Sequence, residues 1–342
     1  VSRIAIIGAG AWGTALAIVL SRSSQHDISL WAHEQEVVDS LTARRSNDIF
    51  LPGVAIPEGV RATRSLAEAL GSTSAVPAEI VLSVMPSHHC RRVFTAMAPH
   101  LSSSMLFVSA TKGVENDSLS RMSQVIAEVI QQECGFLPRV AALSGPSFAR
   151  EVAKGDPAAV TCASPDSELV SRIQKDFSDA TFRVYASSDI VGVELGGSVK
   201  NVIAIAAGIC DGLGFGHNTA AALITRGLAE ITRLAVACGA QPQTLAGLSG
   251  MGDLVLTCTG DLSRNRTVGK ELGRGRKLDE IIASMHGMVA EGVLTTHATL
   301  GLAGKMNVEM PITEQIDAIL HRGKCPKEAI RELMTRPGKS EA

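Results

Sequence analysis

The chain has 342 residues, a formal net charge of -2 and 19% charged residues with no long run of one sign. That balance gives nucleic acid or an anionic membrane nothing to hold, so a small-molecule partner is expected. At about 150 residues per domain, the length suggests two domains with a cleft between them.

In chain order, short Val- and Ile-rich runs alternate with longer amphipathic stretches up to about residue 187. Strands are predicted at Arg3–Ile7, Ile28–Ala32, Ile80–Val84, Met105–Ser109, Val140–Ser144, Ala158–Ala163 and Thr181–Tyr185, separated by helices such as Trp12–Ser23 and Leu119–Glu133. Continuous apolar runs mark strands covered on both faces, which reads as an α/β, doubly wound parallel sheet. After Ser187-Ser188-Asp189, where small polar residues suit a helix cap, strand-like runs give way to Ala, Leu, Gly and Ile at helical spacing. The expected division is a sheet domain over 1–188, an all-helical domain over 189–336 and a frayed tail over 337–342.

The uncharged run Ile4 to Ser21 after Arg3 imitates a secretory signal, but glycines at 8, 10 and 13 argue against one. No other stretch is expected to reach the ~20 apolar residues of a membrane span. The seven cysteines are odd in number and form no C-x-x-C pair. They read as small core hydrophobes in a reducing, cytoplasmic setting, with no metal site.

Gly8-Ala9-Gly10-Ala11-Trp12-Gly13 directly follows the first strand and opens an apolar helix, the context that gives a Rossmann-type dinucleotide fingerprint its meaning. Gly8 would permit the tight turn, Gly10 the approach of a pyrophosphate, and Gly13 close packing of helix on strand. Amides at the helix start would hold the negative charge. The second strand ends Leu30-Trp31-Ala32-His33, without the acidic side chain that binds the adenosine ribose of NAD. Glu34 comes slightly late. His33 with Arg44 or Arg45 would suit a 2′-phosphate, so NADP is expected to be favoured and NAD tolerated; the two arginines fit a solvated helix end equally well.

In a doubly wound sheet, ligands sit beyond the carboxyl ends of strands. Met85-Pro86-Ser87, Thr111-Lys112-Gly113 and Gly145-Pro146-Ser147 fall there, the last as the expected start of a helix with Pro near its first position. In the helical half, Lys200 stands beside the apolar stretch Val202 to Gly208. Lost hydration there would depress its pKa and suit it to proton transfer, unless the stem packs and the ammonium reaches water. Asp253, in Gly250-Met251-Gly252-Asp253, would orient an ammonium or cap a helix. Ser263 is a candidate N-cap whose following amides, with Arg264, suit phosphate; a capped surface helix is the plainer reading.

Taken together, these motifs resemble the bacterial-type NAD(P)-dependent glycerol-3-phosphate dehydrogenases over nearly the whole chain. The ordered matches are GAGAWGTALA at the first turn, LWAH, Phe50 to Gly53, the run around Lys112, Leu143 to Ala149, ELGGSVKN ending in Lys200 and Asn201, Asp253, residues 263–266, and Val289 with Glu291. The resemblance implies reduction of dihydroxyacetone phosphate to sn-glycerol 3-phosphate for phospholipid synthesis, without a metal. It implies Lys200 as proton donor and acceptor, with Asp253 fixing it. Lys112, Gly145, Ser147, Lys200, Asp253, Ser263, Arg264 and Asn265 would hold substrate. Gly8, Gly10, Ala11, Trp12, Gly13, His33, Phe50, Lys112, Ala149, Arg264, Val289 and Glu291 would line the cofactor. A homodimer built on the Ala- and Gly-rich helical half is a further expectation. The rival readings are a related two-domain hydroxyacid dehydrogenase and a non-catalytic NADP-binding redox sensor.

Overall fold

The computed structural model describes residues 2–22, 26–72, 76–285, 290–338 and 340. Its strands are β1 (Ser2–Ile7), β2 (His26–Trp31), β3 (Ser46–Asn47), β4 (Leu51–Ala55), β5 (Val60–Thr63), β6 (Ile80–Ser83), β7 (Leu106–Ser109), β8 (Arg139–Ser144), β9 (Ala158–Ala163) and β10 (Phe182–Ser187). All but β3 and β4 join one sheet, in the order β10-β9-β8-β7-β6-β1-β2-β5. From β5 to β8 across the sheet the neighbours are parallel, and the chain runs outward through β2 and β5 before returning to β6 beside β1. That return is the switch point, where such sheets open a ligand crevice beyond their carboxyl ends.

Two expectations about the sheet need correction. β9 is antiparallel to β8, and β10 runs with β9, so the sheet is not wholly parallel. The connecting helix has only six residues, about 9 Å of rise, against about 20 Å for a six-residue strand, so it does not carry the chain back to the sheet's other end. The edge strand β5 and the small antiparallel pair β3–β4 were not expected. Val60–Thr63 is short and carries Arg61, as suits an edge, and gives no apolar run to read.

Helices α1 (Ala11–Ser21), α2 (Gln35–Ala43), α3 (Leu66–Ala69), α4 (Cys90–Met97), α5 (Met122–Cys134), α6 (Ala149–Lys154) and α7 (Ser167–Phe177) accompany the sheet. Ile4, Ile6, Ile28 and Leu30 belong to one core, while the alternating Ala5, Ile7, Val81 and Phe107 belong to another. Burial on both faces explains the unbroken apolar strands, and each fully buried Ile or Phe contributes about 1.5–3 kcal/mol.

The remaining helices are α8 (Ile190–Gly212), α9 (His217–Ala237), α10 (Pro242–Leu245), α11 (Asp253–Thr259), α12 (Arg264–Gly273), α13 (Leu278–Ala283), α14 (Glu291–Lys305), α15 (Pro311–Arg322) and α16 (Pro326–Met334). Asp189 starts α8: its Oδ1 accepts from the Gly192 amide at 2.9 Å, and its Oδ2 accepts from the Gln241 amide at 2.8 Å. By length and composition α8 would cross a membrane, contrary to the expectation that no further stretch qualifies, yet 89% of its most apolar window is buried inside the protein. Its apolarity is that of a core helix. A Cβ at Gly208 would lie 2.0 Å from the Arg266 carbonyl oxygen, and one at Gly269 would lie 2.0 Å from that of Ile205. Glycine at both positions therefore lets α8 and α12 meet backbone to backbone.

All seven cysteines are free thiols. Cys90, Cys162, Cys210 and Cys258 are buried as expected; Cys325 is exposed and is no core residue.

Candidate active site

The dinucleotide turn has the geometry its glycines suggest. Gly8 adopts φ +122°, and a Cβ there would strike the Val84 carbonyl oxygen at 2.5 Å. A Cβ at Gly13 would lie 1.9 Å from the Gly8 oxygen, whereas one at Gly10 would meet nothing within 4 Å. Open space at Gly10, beside a helix start with no side-chain cap, fits a pyrophosphate on the first amides of α1. Ala11, Trp12, Phe50 and Ala149 pack, half-buried, against the adjoining core. Buried Asn47 staples the turn: its amide donates to the Ala9 carbonyl and to Thr14 Oγ1, both at 2.8 Å, and its Oδ1 accepts from the Phe50 amide at 3.1 Å.

At the tip of β2, His33 and Glu34 are exposed. The two arginines expected beside them are already engaged. Arg44 pairs with Asp48 at 2.7 Å. Arg45 donates to the carbonyls of Ile56, Pro57 and Val60.

The sheet and helical halves meet at a bridge of three charges. Lys112, in the loop after β7, donates from Nζ to Asp253 Oδ2 at 2.7 Å. Lys200 of α8 lies 2.9 Å from Asp253 Oδ1 and donates to Thr257 Oγ1 at 2.6 Å. Asp253 and Thr257 share one face of α11 by their four-residue spacing. Thr257 in turn donates to the Asp253 carbonyl at 2.6 Å. A π-helical turn, Leu248–Gly252, runs directly into α11, so Asp253 is a first-turn helical residue whose carboxylate faces two lysines and not a cap. Gly196 lets that turn press on α8, since a Cβ there would meet the Ser249 carbonyl oxygen at 2.6 Å.

Lys200 is 5% exposed. Burial drives its pKa down from 10.5 to about 8, with Asp253 opposing the fall and the charge of Lys112 assisting it. The ammonium does not reach bulk water, so of the two sequence readings the buried one describes it.

Around this bridge the cleft closes with residues from both halves. Ser198 Oγ accepts from the Gly113 amide at 2.9 Å, fixing the Lys112 loop to α8. Buried Glu194 accepts from the Ser123 amide and hydroxyl, each at 2.7 Å, and from Arg121. Ser87, after β6, donates to Glu291 Oε2 at 2.9 Å across the cleft. Burial raises Glu291 to about 7, against the Ser87 hydrogen bond and the charge of Arg264. Arg264, the first residue of α12, has no hydrogen-bond or ion-pair partner among the described residues, and burial lowers its pKa against the pull of Glu291.

Ser263 caps α12 by accepting from the Arg266 amide at 3.2 Å. Asn265 Oδ1 accepts from the Gly292 amide at 2.9 Å, beside the carbonyl of Asn201. Gly145 and Ser147 lie in the loop after β8, where Ser147 Oγ donates to the Gly145 carbonyl at 3.0 Å. Pro146 and Ser147 do not begin a helix as expected: α6 starts at Ala149, and the intervening loop packs Pro146 near Gly252. Val289 lies outside the described residues. Thr257 and Asn47 escaped the sequence reading. Thr257 was findable as the residue four after Asp253, whereas Asn47 sits in a polar run that carries no periodic signal.

The chain matches the family described as NAD-dependent glycerol-3-phosphate dehydrogenase, its N-terminus over residues 3–170 and its C-terminus over residues 189–331. It is 66% identical over 340 residues to the glycerol-3-phosphate dehydrogenase [NAD(P)+] of Koribacter versatilis, covering 99% of both chains. It is 52% identical to that of Acidobacterium capsulatum, covering 99% of this chain and 100% of that one. The crystal structure of glycerol-3-phosphate dehydrogenase from Coxiella burnetii superposes with a TM-score of 0.91 at 41% identity, covering 98% of this chain and 99% of that one. A ketopantoate reductase from Ralstonia eutropha, at 17% identity and a TM-score of 0.61, shares the fold alone. The chain therefore belongs to the NAD(P)-dependent glycerol-3-phosphate dehydrogenases.

Proposed function

We propose that this enzyme reduces dihydroxyacetone phosphate to sn-glycerol 3-phosphate with NADPH or NADH, as a cytoplasmic step supplying glycerophospholipid synthesis. The observation that carries the reading is the Lys112–Asp253–Lys200 bridge across the cleft, with the Arg264 guanidinium, unpartnered among the described residues, at the start of α12, which packs on α8. Two lysines against one carboxylate leave the bridge one positive charge in excess, and Arg264 adds another, which suits a phosphate dianion.

In this reading residues 1–188 present the cofactor and residues 189–336 supply the proton. The first amides of α1, the Gly8–Gly10–Gly13 turn, Ala11, Trp12, His33, Phe50, Lys112, Ala149, Arg264 and Glu291 line the dinucleotide. Lys112, Gly145, Ser147, Lys200, Asp253, Ser263, Arg264 and Asn265 hold the substrate. Bound nicotinamide supplies the hydride for the ketone carbon. Lys200 gives its proton to the ketone oxygen as charge develops there. The fall from 10.5 to about 8 makes it a stronger acid by roughly two to three powers of ten, while it stays mostly protonated near neutrality. Asp253 and Thr257 hold the amine in place before and after the transfer. Exposed Ala221, Ala222 and Val236 on α9 support pairing of the helical half with a second copy.

Comparing dihydroxyacetone phosphate with unphosphorylated dihydroxyacetone by absorbance at 340 nm tests the substrate class. The expected kcat/KM ratio exceeds ~1,000, because the phosphate engages several charge-assisted hydrogen bonds. Equal rates would refute the phosphate assignment, and no oxidation of either reduced cofactor would refute the enzyme.

A further inference from the structure

Arg45 is held by three carbonyls, Arg44 pairs with Asp48, and Arg64, after β5, donates to Gln35 at 3.4 Å; a further set of groups able to meet a 2′-phosphate comes from a second strand end. β2 and β6 flank β1 on either side, so their carboxyl ends lie about 10 Å apart. The first carries His33 and Glu34. Just beyond the second, the His88 and His89 rings touch at a tilt of 54°, with centroids 3.9 Å apart. Arg92, one turn into α4, places a guanidinium nitrogen 3.4 Å from His89 Nδ1. The charges of His88, Arg92, His33 and Glu34 all reach His89. His33, His88, His89 and Arg92, with Arg64 near the same strand tip, thus share one rim with the Glu34 carboxylate.

We propose that His33, His89 and Arg92 form the cradle that reads the 2′-phosphate of NADP, with Glu34 limiting its affinity. The inference rests on the nucleotide site proposed above and names the side chains that set coenzyme preference there. Burial and the positive charge of Arg92 hold both His88 and His89 below the ordinary imidazole value, and the neighbouring imidazole of His88 lowers His89 further; Glu34 opposes this at His89. Near neutrality the His89 Nδ1 lone pair is therefore free to accept from Arg92. A phosphate set between them reverses the balance: it accepts from Arg92 and from a protonated His89, so binding takes up a proton. Preference for the phosphorylated coenzyme then rises as pH falls.

The test titrates the full chain with adenosine 2′,5′-bisphosphate and with AMP, two probes of the adenosine half that need no hydride transfer. The wild type is expected to favour the bisphosphate at least ~10-fold at about pH 7, and more strongly at about pH 6 than at about pH 8. Arg92→Gln lowers that preference about 10-fold while AMP affinity changes less than about 2-fold. His89→Gln removes the strengthening at low pH; the probe's own phosphate ionisation acts equally in both proteins and cancels in the comparison. Glu34→Gln raises the preference. Equal binding of the two probes by the wild type, or an unchanged preference in both Arg92→Gln and His89→Gln, overturns the cradle and leaves the nucleotide site standing. Failure of both probes and of NADH to bind overturns the nucleotide site and the cradle with it.

Discussion

Lys200→Ala lowers kcat for reduction of dihydroxyacetone phosphate by at least ~100-fold, the usual consequence of losing a positioned general acid. The dissociation constant for the reduced cofactor changes little, because the Lys200 amine is assigned to the substrate and its described partners are Asp253 and Thr257, away from the dinucleotide turn. A second signature follows from its depressed pKa. Reduction needs the ammonium, so in the wild type its rate declines as pH rises through about 8; oxidation of glycerol 3-phosphate needs the neutral amine and gains over the same interval. A group with the free lysine value of 10.5 would leave reduction flat there and let oxidation keep climbing about tenfold per pH unit, without levelling off above about 8. Steady-state rates in both directions across that interval check the sign, and a Lys200→Ala protein with near-normal turnover removes Lys200 from the chemistry.

Asp253→Asn is expected to be nearly as damaging, for an electrostatic reason. The 2% exposed carboxylate is the partner of both lysines, and an amide of the same shape keeps the packing while removing the charge between them. Stranding buried charges in this way amounts to about 3–5 kcal/mol, shared between stability and activity. Lys200 then loses its opposing anion but keeps the burial and the Lys112 charge that depress it, so its pKa falls further. The loss of reduction rate should therefore be larger at about pH 8, on the order of 100-fold, than at about pH 6, where the ammonium is partly restored. An equal loss at both pH values would mean that Asp253 acts through shape and not through charge.

Much of this arrangement was legible in the residues because it is local. Val- and Ile-rich runs specify two-sided strands, and Gly8, Gly10 and Gly13 declare a turn whose spacing makes sense only against a strand and a helix. Asp189 and Ser263 cap the helices that follow them. What escaped depends on contacts between distant segments. Reversal of β9 follows from the shortness of α6, and β5 pairs at an edge without an apolar signature. Arg45 resembled a phosphate ligand until the chain folded back and presented it with three carbonyls. Asp253 resembled a cap in sequence because nothing local shows Lys112, 141 residues away, arriving at its other oxygen. The candidate lysine was readable as one beside an apolar run, and Asp253 as its partner through the family resemblance; Thr257 and the bridge through Asp253 to Lys112 were not.

The account stands on one juxtaposition: the Lys200 amine, offered by α8, facing the carbonyl of a substrate held against a cofactor on the sheet. A crystal structure of the full chain with oxidised cofactor and glycerol 3-phosphate measures it directly. The predicted result is Lys200 Nζ within about 3 Å of the C2 hydroxyl oxygen, with the phosphate against Arg264. An amine turned away from that oxygen, or a phosphate bound outside the cleft, would contradict it.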